Sequence, residues 1–136
     1  MEFTIREYED YNEDEILNLY KSVGWVNYVN NPDMLKNAYT NSLKILAAYE
    51  NDELLGIIRV VGDGYSIVYI QDIIVLPEYQ RCGIGTALLN KILEIYQNVY
   101  QKTLLTDNTE KTIQFYKSIG FTMDMDMECR AFVKMM

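Results

Sequence analysis

The sequence predicts an α+β fold: a mixed, mostly antiparallel central sheet flanked by helices, with one parallel strand–helix–strand crossover. Three observations lead there. Strand-like runs rich in Ile, Val and Tyr follow one another across short turns between residues 43 and 75. A long window of helical periodicity and a further short strand come directly after, the order of a crossover unit. Other apolar positions recur at helical spacing before the first of these runs and after the last. With 136 residues, 49% of them apolar, the chain can bury a real core. No repeat, low-complexity tract or linker divides it, so residues 1–136 read as one domain.

Residues 3–6 read as a first strand. Asn12 or Asp14 suits the N-cap of a helix whose apolar positions Ile16, Leu17, Tyr20 and Val23 stop at Gly24. Pro32 and Asp33 open a second helix through Met34, Leu35 and Ala38. Residues 43–49 and 54–61 are strands joined by Glu50-Asn51-Asp52-Glu53, and Gly62-Asp63-Gly64 turns the chain into a third strand, 66–75. From Gly83 to about Tyr100 a stripe of Ile84, Leu88, Ile92, Ile95 and Val99 predicts a helix. Residues 102–106 form a short strand, expected parallel to 66–75. Residues 109–119 form a helix closed by Gly120. Residues 121–123 and 128–134 are expected to pair as a last hairpin.

Composition narrows the chemistry. Twelve basic and twenty acidic residues leave a formal charge of −8, which disfavours nucleic acid and would draw a cationic small molecule. Histidine is absent and only Cys82 and Cys129 carry thiols. Ser-His-Asp and Cys-His nucleophiles, histidine metal sites and thiolate zinc sites are therefore out of reach. Proton transfer falls to a carboxylate, tyrosine, lysine, cysteine or water. The acidic opening residues, from Glu2 to Glu15, are unlike a targeting peptide, and no apolar run reaches bilayer length, so a soluble cytoplasmic protein is expected.

The stretch Gln80-Arg81-Cys82-Gly83-Ile84-Gly85-Thr86 sits between a strand and a helix. A P-loop would need Gly-Lys-Ser/Thr, and here Thr86-Ala87 follows Gly85. A dinucleotide fingerprint would need a third glycine where Leu88 stands. What is left is a glycine turn feeding a helix N-terminus, whose unpaired amides and dipole suit a pyrophosphate. The plainer alternative is a tight turn that needs glycine only for its dihedral angles.

Gln80-x-x-Gly83-x-Gly85 after Val75-Leu76-Pro77-Glu78-Tyr79 resembles the acetyl-coenzyme A signature of the GNAT family, the GCN5-related N-acetyltransferases. Phe115-Tyr116-Lys117-Ser118-Ile119-Gly120-Phe121 is similar to that family's helix ending in Tyr-x-x-x-Gly-Phe, and the element order agrees along nearly the whole chain. The resemblance implies acetyl-CoA as co-substrate, no metal, and acetyl transfer to a primary amine of a small molecule or peptide. It implies pyrophosphate binding by Gln80, Arg81, Cys82, Gly83, Ile84, Gly85 and Thr86, and pairing of the pantetheine arm with the backbone at Ile73 and Val75. Tyr116 takes the place of the acid that protonates the leaving thiolate. Phe115 falls in the coenzyme-contacting helix. The family's asparagine before that helix is replaced by Thr109, with Asn108 one residue early, so this coenzyme contact is left open. Asp72 is the nearest carboxylate for a base, although strand alternation turns it away from Gln71 and Ile73. Trp25 and Tyr28 fall where acceptor walls often lie, and an aromatic plug between helices and sheet is the alternative. A second copy of the chain is left open as a partner. A non-catalytic acyl-CoA sensor or subunit is the rival reading.

Overall fold

Five strands line up in sequence order in a computed structural model describing residues 1–136: β1 (Thr4–Glu7), β2 (Lys44–Glu50), β3 (Glu53–Gly62), β4 (Ile67–Val75) and β5 (Gln101–Leu104). The first four pair antiparallel as a meander, and β5 joins β4 in parallel. The fold class is the one the sequence predicts. Turn chemistry explains the meander. Asn51 adopts φ 55° in the β2–β3 turn, a left-handed value asparagine tolerates. In the β3–β4 turn the Asp63 carboxylate accepts the amides of Tyr65, Ser66 and Ile67 at 2.8, 2.8 and 3.1 Å, as well as the Ser66 hydroxyl. The Ser66 hydroxyl, followed by these amides, holds the Asp63 acid well below the usual carboxylate range.

Helices α1 (Glu13–Ser22), α2 (Val26–Val29) and α3 (Pro32–Thr40) lie between β1 and β2 in the chain. Asn12 caps α1 by accepting the Glu15 amide at 3.1 Å, and Glu13, Asp14 and Glu15 place negative charge at its positive end. Ile16, Leu19 and Tyr20 of α1 and Leu35 and Tyr39 of α3 form one core with Ala47, Ile57 and Ile74 of the sheet. Burying each such Leu or Ile side chain contributes about 1.5–3 kcal/mol. Residues alternating with these along the strands, such as Leu46 and Ile58, are equally buried outside that cluster. Helix α4 (Ile84–Ile95) packs on β2, β3 and β4 through Ile84, Leu88, Leu89 and Ile92.

The chain divides into two compact units, Met1–Leu104 and Leu105–Met136. The second contains α5 (Glu110–Ser118) and a 3-10 turn at Asp124–Met127. Two expectations change. Helix α4 stops at Ile95 rather than near Tyr100, because residues 96–100 must turn back so that the Tyr100 and Gln101 amides can reach the Tyr65 and Ser66 carbonyls. Lys102 Nζ satisfies the carbonyls of Val99 and Gln97 in that turn, at 2.6 and 3.3 Å. A single helical turn, α2, forms between the first two helices the sequence predicts. The last hairpin does not form. Asp124 instead gathers the following backbone, its carboxylate accepting the amides of Met125 and Ala131 and its carbonyl the amide of Cys129. Glu128, at φ 59°, closes this turn, and residues 128–136 belong to no strand.

Candidate active site

The site begins at a fault in the sheet. Arg59 lies opposite Asp72, yet Val60 lies opposite Ile70, so Gln71 is an extra residue in β4, a β-bulge. Pairing with β5 covers Ile67 to Ile70 and stops there. Beyond the bulge β4 keeps β3 on one side, through Ile73 and Val75, and has no strand on the other. The backbone at Ile73 and Val75 is therefore a free strand edge inside the sheet, suited to pairing with an extended ligand.

The chain then passes through a 3-10 turn, Pro77–Tyr79, into the glycine loop. The Gln80 side chain folds back and donates to the Val75 carbonyl at 3.1 Å, tying loop to strand end. Arg81 and Gly83 hold positive φ, 65° and 84°, and Gly83 is the N-cap of α4 without any side-chain cap. No amide of residues 81–86 donates to a turn, cap or side-chain acceptor. The two glycines have different reasons. Gly83 is fixed by its left-handed backbone. Gly85 is helical, and a Cβ built there would meet only Val75 Cγ2, at an ordinary 3.9 Å. Nothing in the chain requires glycine at 85, so the space beside it fits an approaching ligand. Cys82 is exposed, its Sγ 3.7 Å from the Gln80 carbonyl. Thus Gln80 to Thr86 come together with Ile73 and Val75. Two concavities, of about 620 Å³ beside β1 and about 220 Å³ beside the β2–β3 turn, are lined by none of these loop residues.

Asp72 is held in a buried ion pair. It is 2% exposed, and one of its oxygens, Oδ2, accepts from Arg59 Nε at 2.8 Å and from the Tyr20 hydroxyl at 2.6 Å. Tyr20 also shares a 3.0 Å hydrogen bond with Tyr39, and Arg59 reaches Ser42 Oγ at 3.3 Å. Burial, then the neighbouring Tyr39 and Asp72, drives the Tyr20 phenol far above the ordinary tyrosine range. The expected base is thus half of a buried ion pair, and taking up a proton would leave the Arg59 guanidinium buried without its counter-charge. Arg59, Tyr20 and Tyr39 were not anticipated in this role. The available signal was one arginine within the apolar run 54–61 and a single acid in the next strand, which the bulge at Gln71 sets opposite each other.

Trp25 and Tyr28 are brought together, ring centroids 6.2 Å apart, and both pack at an angle against Tyr20, at 5.9 and 5.3 Å. They are half-buried against the α1–α3 core. The cluster also reaches the bulge, since Gln71 Nε2 donates to the Tyr28 hydroxyl at 3.3 Å. Gln71 was missed because a bulge is invisible in strand periodicity.

In the second unit, Thr109 caps α5 by accepting the Thr112 amide at 3.3 Å and bonds the Thr112 hydroxyl at 2.8 Å. Asn108 beside it is exposed. Tyr116 is 9% exposed and packs edge-on against Phe115 and Phe121, at 5.0 and 5.8 Å. Burial raises its phenol pKa; a hydrogen bond with Thr106 opposes the rise and the Asp107 charge adds to it. It is a neutral phenol throughout the physiological range.

A free edge on a bulged strand, leading into an uncapped glycine loop and a helix, defines a class. Residues 41–123 match the acetyltransferase (GNAT) domain, and the chain belongs to that family. Among solved structures, a GNAT family acetyltransferase from Streptococcus pneumoniae is 40% identical, with a TM-score of 0.89 and 98% of both chains covered. The PaiA N-acetyltransferase of Thermoplasma acidophilum, solved with coenzyme A, shares the fold at 18% identity and a TM-score of 0.75, over 90% of this chain and 91% of its own. An uncharacterized N-acetyltransferase of Pyropia yezoensis is 27% identical over 82% of this chain and 66% of its own length. For the GCN5-related N-acetyltransferase 1 of Arabidopsis thaliana the figures are 24%, 87% and 60%. The chain thus spans somewhat less than two thirds of the length of these two relatives. No helix is long and apolar enough to cross a membrane.

Proposed function

We propose that this protein is an acetyl-CoA-dependent N-acetyltransferase acting on a primary amine of a small molecule or peptide, by direct attack with both substrates bound. The observation that carries the reading is Gly85: a glycine its own chain does not need, beside amides without acceptors, one turn from a free strand edge. Residues 81–86 would hold the pyrophosphate, and the backbone at Ile73 and Val75 the pantetheine arm. The Val75 amide would polarise the acyl carbonyl.

The donor supplies an activated acyl thioester. As the amine nitrogen bonds to the acyl carbon and the carbon–sulfur bond breaks, Tyr116 gives its hydroxyl proton to the leaving sulfur. A phenol in contact with the departing sulfur can stabilise or protonate the thiolate. Asp72 keeps its ion pair, and the amine proton leaves to water. Trp25 and Tyr28, with Gln71 at the bulge, would form the acceptor wall; ring faces and the net charge of −8 suit a cationic amine.

The test is release of free coenzyme A from acetyl-CoA across a panel of aryl, alkyl, amino-acid and peptide amines. Turnover is expected with at least one class, and Tyr116→Phe should lower kcat about a hundredfold while coenzyme affinity stays within twofold. Thermal stabilisation by acetyl-CoA without turnover on any amine would replace the enzyme by an acyl-CoA sensor. Unchanged turnover in Tyr116→Phe would remove Tyr116 from the reaction.

A further inference from the structure

The bulge aims one side chain of β4 at α2. Gln71, the extra residue, donates through Nε2 to the Tyr28 hydroxyl at 3.3 Å. That bond decides which end of the carboxamide faces Tyr28, and the other end, Oε1, carries two lone pairs. The Tyr28 hydroxyl is the acceptor in the bond and so keeps its own proton to give. A hydrogen-bond acceptor and a hydrogen-bond donor therefore stand side by side, directly after the residue where pairing with β5 ends. Gln71 is exposed, and the tilted rings of Tyr28 and Trp25 supply a half-buried apolar surface beside it.

The chemistry of the pair restricts what it can hold. The next residue, Asp72, is 2% exposed and committed to Arg59, so at the bulge β4 offers an amine a neutral oxygen rather than a charged one. A plain alkyl or aryl amine would use Oε1 and leave the Tyr28 proton without a partner. A group with an N–H donor and a carbonyl acceptor separated by one carbon would use both. The α-amino group of an amino-acid amide or of a peptide N-terminus is such a group. It also suits a neutral acceptor: with a reference pKa of about 7.7–8.0 it is about half uncharged near pH 8, whereas a lysine-type amine near about 10.4 is not.

We propose that Gln71 and Tyr28 together recognise an α-amino carbonyl unit, Gln71 Oε1 accepting the amine N–H and the Tyr28 hydroxyl donating to the adjacent carbonyl. The acceptor is then an amino-acid amide or a peptide N-terminus with an apolar side chain, rather than a simple alkyl or aryl amine. This rests on the acetyltransferase reading above and names its acceptor. Both residues set specificity, because an amine without the carbonyl leaves a polar group of the site unmet.

Trp25 is the only tryptophan, so its fluorescence reports binding at this corner without any turnover. With coenzyme A present, phenylalaninamide should change the emission saturably and bind at least about tenfold tighter than 2-phenylethylamine, which lacks only the carboxamide. Tyr28→Phe keeps the ring, and should weaken phenylalaninamide about fivefold or more while changing 2-phenylethylamine less than about twofold. Gln71→Leu should weaken both amines. A merely structural role for the Tyr28 hydroxyl would move the two amines alike. Equal affinities in the parent, equal losses in Tyr28→Phe, or no fluorescence change with either amine would overturn the proposal. If phenylalaninamide binds with this preference yet no coenzyme A is released from acetyl-CoA, the recognition stands and the acetyltransferase reading falls instead.

Discussion

Gly85 stands in the first turn of α4, where alanine would serve the helix better. In a helix interior glycine is less favourable than alanine by about 0.8–1.0 kcal/mol, and the nearest atom to a new Cβ would be Val75 Cγ2 at 3.9 Å. Gly85→Ala should therefore leave the thermal midpoint unchanged or slightly raised. It should also weaken acetyl-CoA binding at least about tenfold, because the methyl group fills space reserved for the ligand. Calorimetry beside a melting curve separates the two effects, and full affinity in the variant would return Gly85 to a role in the turn alone. Gly83, at φ 84°, is a different case, since any side chain there strains the backbone before a ligand is considered. Sequence alone cannot separate the two glycines. Motif spacing identifies both, and only the backbone reveals which one the fold itself requires.

Among the elements, the bulge in β4 and the ion pair beside it act together. Asp72 follows Gln71 directly, and its bonds to Arg59 and Tyr20 join β4 to β3 and α1, with Tyr39 adding α3. The brace therefore ties the bulged part of β4 to the helices on either side of Trp25 and Tyr28. Asp72→Asn removes the counter-charge of a guanidinium only 4% exposed, a change expected to cost about 3–5 kcal/mol. Chemical denaturation measures it, and a loss under 1 kcal/mol would show that the pair is dispensable. Asp72 is readable in the sequence as an acid in a strand, and its alternation already points it away from Gln71. Its partners are not readable, because Arg59 and Tyr20 come from two other elements brought together by packing. The final hairpin fails for a related reason. Residues 128–134 do have strand alternation, but a strand needs a neighbour, and Asp124 captures the nearby amides first.

Across the whole molecule, the tyrosines set the response to alkali. Tyr20 and Tyr39 are buried, and burial above all raises both phenols far beyond their ordinary pKa. A raised folded pKa means that stabilisation is complete below the unfolded value of about 10 and is lost as pH rises above it. Stability is therefore expected to be flat through neutral pH and to fall steeply above about pH 10. Tyrosinate absorbance should rise together with the loss of helix signal. Ionisation of the full set of tyrosines with the fold intact would contradict this.

What the amino-acid sequence determined by itself is local and periodic: the meander, the crossover helix, the glycine loop and its family. These depend on turn chemistry and on apolar spacing within a few residues. Tertiary structure alone decided where pairing between β4 and β5 stops, which acid is locked to Arg59, and that residues 129–136 form no strand. Each of these depends on which distant groups compete for the same hydrogen bonds, and that competition is settled only when the elements pack.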